Sequence, residues 1–394
     1  MIDRAPTTGI GRWQMPALIA GILGLAGTAI GFVLDKETFF RAYLPSWIFW
    51  FQIVAGSLGV LMLQYVTGGE WGLLIRRPLG AAARTMWVML VLFLPIALGL
   101  HYLYPWMDAA YVHHHESVRV KASYLNGQWF YIRTAIYFFL WIVWAWGIRR
   151  LSLRFYDDRS PDTDLKRRKL ASAGLPMFVL TLTFCSIDWV MSLEPTWFST
   201  MFGINFLIAA CLAAYAFVIF FLTRLAHTQA MADILKPSHF RDLGNLMLAF
   251  VMLYAYTLFS EYLLTWYANL KEEIPHYLVR QSGAWGAVAL LVVVFHFFLP
   301  FFMLLMRAIK DRPQTIAVVA VIVLVIRYVG TYWLVAPSYY HELYYSWMSL
   351  TSLVGIGGIW LFFFFGQLKG QTIIPIHETW VEEAIREGAL KVHA

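Results

Sequence analysis

Ten apolar runs, each long enough to cross a lipid bilayer, decide what this chain can become. They fall near residues 14–34, 46–66, 85–104, 128–148, 172–193, 201–223, 244–267, 282–306, 314–335 and 343–367. Crossing a bilayer core takes about 20 apolar residues of helix. In lipid each backbone N–H and C=O must be paired within its own segment or a closed barrel, so single runs of this length fold as helices. Composition agrees: 60% of the 394 residues are hydrophobic and 13% are charged, about half the charge of a soluble domain. The 18 Trp, 21 Tyr and 30 Phe suit interface belts as well as packing. The pattern predicts an all-α polytopic protein: one ten-helix transmembrane domain over 1–368, then a tail, 369–394, able to form a short amphipathic helix. No small-residue cleavage motif follows the first run early, so it is expected to be retained as a span.

Ten crossings put both termini on one side. Of the 30 Lys and Arg residues, 22 fall on the N-terminal side, seven on the other, and Arg327 lies within a span. Basic residues collect on the cytoplasmic face, so both termini are expected there. The formal charge of +7 then reads as membrane topology rather than affinity for nucleic acid. Residues 149–169, RRLSLRFYDDRSPDTDLKRRK, are expected to be the longest cytoplasmic loop, a solvated hinge between two halves. No internal repeat is clear.

Several chemistries find no support. Cys185 and Cys211 both lie in apolar runs, and no CxxC or CxxCH occurs, which disfavours a disulfide framework, an iron–sulfur cluster or c-type haem. There is no phosphate-cradling glycine loop, G-x-S-x-G or zinc spacing. The run HHHE at 113–116 places its imidazoles on adjacent residues, which do not converge easily on one ion. A b-type haem needs two His at matched depth; His296 is expected nearer the inner side and His101 nearer the outer.

Charged residues inside lipid are costly, roughly 2.5–3.5 kcal/mol each on insertion scales, and a retained one suggests function. Thr181, Cys185, Asp188 and Ser192 are spaced 4, 3 and 4, along one helix face. Glu194 precedes Pro195, which disfavours helix there, so the fifth helix should end on the outer side with Glu194 at the interface. Asp188 sits six residues deeper, about 9 Å. Two readings stay open for it: a proton-exchanging carboxyl on a hydroxyl-lined stripe, or a carboxyl hydrogen-bonded to a neighbouring helix for packing. Tyr254, Thr257, Glu261 and Thr265 make a similar stripe in the seventh span. His296 is alone in an apolar eighth span, with Pro300 freeing its carbonyl; a packed histidine and a relay are both open. Arg327, with Tyr328, Thr331 and Tyr332, gives the ninth span a polar side and calls for a carboxylate counter-charge. His341 and Glu342 begin the tenth span near the outer surface.

Three strings carry a resemblance: KASYLNGQWFYIR (121–133), SIDWVMSLEPTWFSTMFGINF (186–206) and YAYTLFSEYLLTWYANLKEEIPHYLVR (254–280). With ten spans they resemble the ActF-type membrane subunits of bacterial alternative complex III, in the NrfD-like, polysulfide-reductase-anchor superfamily. The resemblance covers nearly the whole chain. It implies two four-helix bundles, spans 2–5 and 6–9, with a flanking helix at each end. It also implies a subunit of a quinol:electron-acceptor oxidoreductase in the respiratory electron transport chain of the bacterial cytoplasmic (inner) membrane. Quinol, menaquinol included, would be the substrate of the complex. This chain would carry no cofactor; the iron–sulfur clusters and c-type haems would belong to partners. Those partners would be a sister NrfD-like subunit, an iron–sulfur subunit, c-type cytochrome subunits and small membrane subunits, with lipids around them and no nucleic acid.

The matching positions are Asp188 and Glu194 in the DW…LEP string, and Lys121, Tyr124, Asn126 and Arg133 in K-x-x-YLN…R. Departures from the family pattern are Ile187 for Phe, Lys271 for Pro and Glu261 where Gln is frequent. Asp188 with Glu261 is thus expected to form the outward half of a proton path, with His296 and Arg327 toward the inside. Glu194, Thr181, Ser192, Thr257 and Tyr254 are further candidates along it. His101 and Asp188 are candidates for a quinol contact. A structural anchor and a stand-alone proton-coupled transporter are the rival readings.

Overall fold

The structure, a computed structural model, describes residues 10–158, 160–226 and 237–369. Ten helices are long and apolar enough to cross a membrane: α1 (Gly11–Leu34), α2 (Lys36–Thr67), α3 (Arg76–Leu98), α4 (Gly127–Phe155), α5 (Pro161–Leu193), α6 (Phe202–Leu225), α7 (Pro237–Ala268), α8 (Gly283–Leu305), α9 (Pro313–Ser338) and α10 (Trp347–Leu368). No strand occurs among the described residues. The tail expected over 369–394 lies outside them, apart from Lys369.

The helices start and stop where local chemistry dictates. α2 begins ten residues before the apolar run, because Asp35 caps it by accepting from the Thr38 N–H at 3.1 Å, and Pro45 is accommodated inside. In α3 the helix resets at Thr85, whose hydroxyl donates to the Ala82 carbonyl at 2.6 Å and accepts from Trp360 Nε1 at 2.8 Å. The expected hinge at 149–169 is instead mostly helix. The fourth helix runs on to Asp158 and the fifth starts at Pro161. Ser160 caps the fifth helix through the Thr163 N–H, Pro161 occupies its first turn, and its charges pair one turn apart, Asp162 with Lys166 and Asp164 with Arg167 and Arg168. Mixed charge at i,i+3 and i,i+4 supports helix, which a loop reading of the same letters overlooks.

α2 and α6 are the innermost pair, with 89% of each apolar window buried. They approach closely because Gly56 has no side chain; a Cβ there would lie 1.9 Å from the Ala210 carbonyl oxygen. α1 lies along α10 through Gly24 against Gly355, the small-residue contact by which helices associate in lipid. α4 packs on α5, and α2 on α3 and α5; α6 packs on α7 and α9, and α8 on α9. Between α2, α3, α4 and α5 the interior is aromatic: Trp47, Phe51, Phe93, Phe138 and Trp189 are buried, with ring centroids such as Trp47–Phe51 at 4.9 Å and Phe93–Trp189 at 5.1 Å. The space among α6 to α9 is filled differently.

Candidate functional site

Asp188, fully buried, lies in the last regular turn of α5 in a closed ion pair. Arg133 of α4 holds it with both arms of its fork, Nε to Oδ2 at 2.8 Å and Nη2 to Oδ1 at 3.0 Å, and the Tyr137 hydroxyl donates to Oδ2 at 2.8 Å. The guanidinium lies 3.8 Å over the Tyr124 ring and donates to the Tyr124 carbonyl at 3.0 Å. The rest of the stripe is committed locally. Thr181 donates to the Met177 carbonyl and accepts from Trp141 Nε1; Cys185 donates to Leu182; Ser192 donates to the Asp188 carbonyl at 2.6 Å. These hydroxyls do not lead from one to the next. Asn126 caps the start of α4 by accepting from the Trp129 N–H, and Lys121 Nζ donates to the Pro195 carbonyl at 2.9 Å. Two of the resembling strings therefore meet here and brace each other.

Glu194 is more than the helix-end residue expected. Its Oε1 accepts from Arg280 Nη2 at 2.6 Å and from the Ser338 hydroxyl at 2.7 Å, and its Oε2 lies 2.8 Å from His276 Nδ1. His276 and Arg280 come from the short helix Ile274–Gln281, so one carboxylate ties the ends of α5 and α9 to the turn before α8. Burial pushes the Glu194 carboxyl up, but His276 and Arg280 together outweigh it and hold it well below the ordinary carboxylate range. Burial, then the neighbouring Arg280 charge, lowers His276 to about 4. His276 is therefore neutral at pH 7, with Nδ1–H donating to Glu194, which fixes the tautomer. The indole of Trp197 stacks on its ring at 3.8 Å and 7°.

A cavity of about 660 Å³ opens among α2, α6, α7, α8 and α9. Tyr254, Glu261, His296 and Arg327 all line it, and so do Gln52 and Asn205. On α7 the 3, 4, 4 spacing does place Tyr254, Thr257, Glu261 and Thr265 on the buried face. Thr257 turns its hydroxyl back to the Leu253 carbonyl at 3.0 Å. On α8 a π-helical turn, Val294–Phe298, precedes Pro300 and adds a residue to the turn. His296 is buried there while Phe295 and Phe298 stay outside. Tyr254 stands between two of these side chains: its ring is 4.6 Å from the His296 ring and 4.9 Å from the Arg327 guanidinium carbon. The carboxylate expected to pair with Arg327 is absent among the described residues. A tyrosine face and the Thr331 hydroxyl, at 3.5 Å, stand in for it.

Apart from one Asn205–Glu261 contact, the polar groups of this cavity are not hydrogen-bonded to one another. Both amide atoms of Gln52, Asn205 Oδ1, Glu261 Oε1, His296 Nε2, and Arg327 Nε and Nη1 are buried without a hydrogen-bond partner in the protein. Asn205 Nδ2 donates to the other Glu261 oxygen, Oε2. An unsatisfied buried polar atom costs about 1–3 kcal/mol. Five side chains with unpaired buried atoms around one space give it the capacity to take up water, protons or a polar ligand. Its walls also reach the outer surface through Tyr256, Phe259 and Phe298.

Four of the sequence candidates thus share one site, and His276 joins Glu194 to it. Asp188, Thr181 and Ser192 lie elsewhere, and His101 is exposed on a one-turn helix, Leu100–Leu103. Sequence reading passed over Gln52, Asn205, His276, Arg280 and Tyr137. Two signals were there to find: amides inside apolar runs, and the i,i+4 pair His276 and Arg280.

Fold and cavity together define a multi-pass helical membrane protein with a largely apolar chamber inside its bundle, into which a few polar side chains project. No family model matches the chain, and no curated protein matches it.

Proposed function

We propose that this chain is a membrane subunit of bacterial alternative complex III, a quinol:electron-acceptor oxidoreductase of an electron transport chain, and that the Glu261 cavity is where it handles protons. The observation that carries the reading is the Glu261 carboxyl, which sits in a chamber with His296 and Arg327: one oxygen accepts from Asn205, the Ser199 hydroxyl is a neighbour, and no cation forms an ion pair with it among the described residues. A carboxyl so placed takes up and releases a proton without breaking an ion pair. Electrons pass through clusters and haems of the iron–sulfur and cytochrome partners, and the coupling to this chain is a change in proton access. The helix neighbours are in keeping with two four-helix groups, α2–α5 and α6–α9, flanked by α1 and α10. The bias of basic residues toward the N-terminal side supports both termini in the cytoplasm. Glu261 and Glu194, through His276, form the outward part of the route, while Asp188 is its brace.

The test is the purified complex in proteoliposomes. Glu261→Gln is expected to keep quinol oxidation measurable and lower the protons moved per electron. An unchanged ratio rules the role out. Purification without cytochrome or iron–sulfur partners would favour a stand-alone transporter.

One observation favours a second reading, a quinol headgroup in the same chamber: its apolar walls extend to the outer, lipid-facing surface at Tyr256, Phe259 and Phe298. On that reading Glu261→Gln raises the KM for quinol and leaves the proton ratio intact.

A further inference from the structure

A second polar constellation lies where the start of α3 and the ends of α4 and α10 meet. Arg84 donates Nε to Gln367 Oε1 at 2.9 Å and Nη2 to the Gln367 carbonyl at 3.2 Å; Arg149 donates Nη1 to the same Oε1 at 3.4 Å. Two guanidiniums share one neutral acceptor, and neither forms an ion pair with a carboxylate among the described residues. Such a pair repels, and the remaining N–H groups, Nη1 of Arg84 with Nε and Nη2 of Arg149, have no acceptor there. One turn deeper on each helix stands an exposed tryptophan: Trp87, three residues after Arg84, and Trp146, three before Arg149, at 40% and 59% exposure. α3 and α4 pack on each other, so each tryptophan lies one turn deeper than its arginine on neighbouring helices; Trp87 meets Phe363 edge-on at 4.9 Å, and the Arg150 guanidinium lies 5.4 Å over the Trp146 ring.

We propose that this is a site for an anionic phospholipid, its phosphate on Arg84 and Arg149 and its acyl chains running past Trp87 and Trp146. Charge complementarity selects an anion. Basic pockets between membrane helices take lipid headgroups, and indoles sit at headgroup depth. A free phosphate gains nothing from the tryptophans. Gln367 matters because it is neutral: it holds both forks in place without cancelling their charge. The site is independent of the cavity and of the proton route.

The test uses the full chain, membrane-extracted and reconstituted in phosphatidylcholine nanodiscs with added phosphatidylglycerol. Bound lipid is read by native mass spectrometry. The affinity ratio of phosphatidylglycerol to phosphatidylcholine should fall roughly fivefold for each arginine changed to Gln, and roughly 25-fold for Arg84→Gln with Arg149→Gln. The double Lys variant should keep most of it. Gln367→Glu, which retains both arginines and places a carboxylate between them, should also lose it. An unchanged ratio in Gln367→Glu and in the double Gln variant overturns the proposal. So does displacement by inorganic phosphate at the same concentration as phosphatidylglycerol.

Discussion

Asp188→Asn separates a brace from a proton carrier. The substitution keeps the shape of the side chain and still allows Tyr137 a hydrogen bond, but it removes the charge that faces Arg133. Breaking a buried pair by neutralising one partner costs about 3–5 kcal/mol. Arg133 retains 15% exposure and keeps its contacts with the Tyr124 ring and carbonyl, so the low end, about 3 kcal/mol, applies. At about 2 °C per kcal/mol for a chain of this size, that is a fall of roughly 6 °C in apparent melting temperature. Fluorescence-detected size exclusion after graded heating measures it in detergent. Asp188→Asn with Arg133→Gln should recover most of the loss, because the stranded cation is gone, giving a coupling of about 2 kcal/mol. If Asp188→Asn melts with the parent protein while its complex moves fewer protons per electron, the brace is refuted and Asp188 is the carrier.

Other outcomes follow from the same geometry. His276 is lowered from 6.5 to about 4, so the unfolded chain takes up a proton near 6.5 that the folded chain refuses. Stability should therefore fall as pH drops from 6.5 toward 4, by roughly 3 kcal/mol at most. Glu194, held low, adds a loss in the same direction below about 4.5. Apparent melting at pH 7.5 and pH 5 tests this, and His276→Asn, which can still donate to Glu194, should flatten the difference; an equal slope counts against it. Gly56→Ala should lower melting by several degrees, since its Cβ meets the Ala210 carbonyl, whereas Gly80→Ala, whose nearest neighbour is the Arg84 tip at 3.5 Å, should not.

The sequence by itself determined the number and rough limits of the helices, because lipid leaves a run of 20 apolar residues one way to satisfy its backbone. It also determined which polar residues share a helix face, as with Tyr254 and Glu261, because 3.6 residues per turn is local geometry. It marked Asp188, Glu194, Glu261, His296 and Arg327 as costly and therefore informative. What those residues do was decided by partners on other helices. Asp188 and Glu261 look alike in sequence, each an acid on a hydroxyl-spaced stripe. One meets Arg133 from α4 and is locked, and the other meets Asn205 from α6 and forms no ion pair among the described residues. Arg327 calls for an acid in sequence and finds a tyrosine. A side chain's helix face is set by its neighbours in the chain. Its charge partner is set by which helix the fold lays beside it, and only the tertiary structure supplies that.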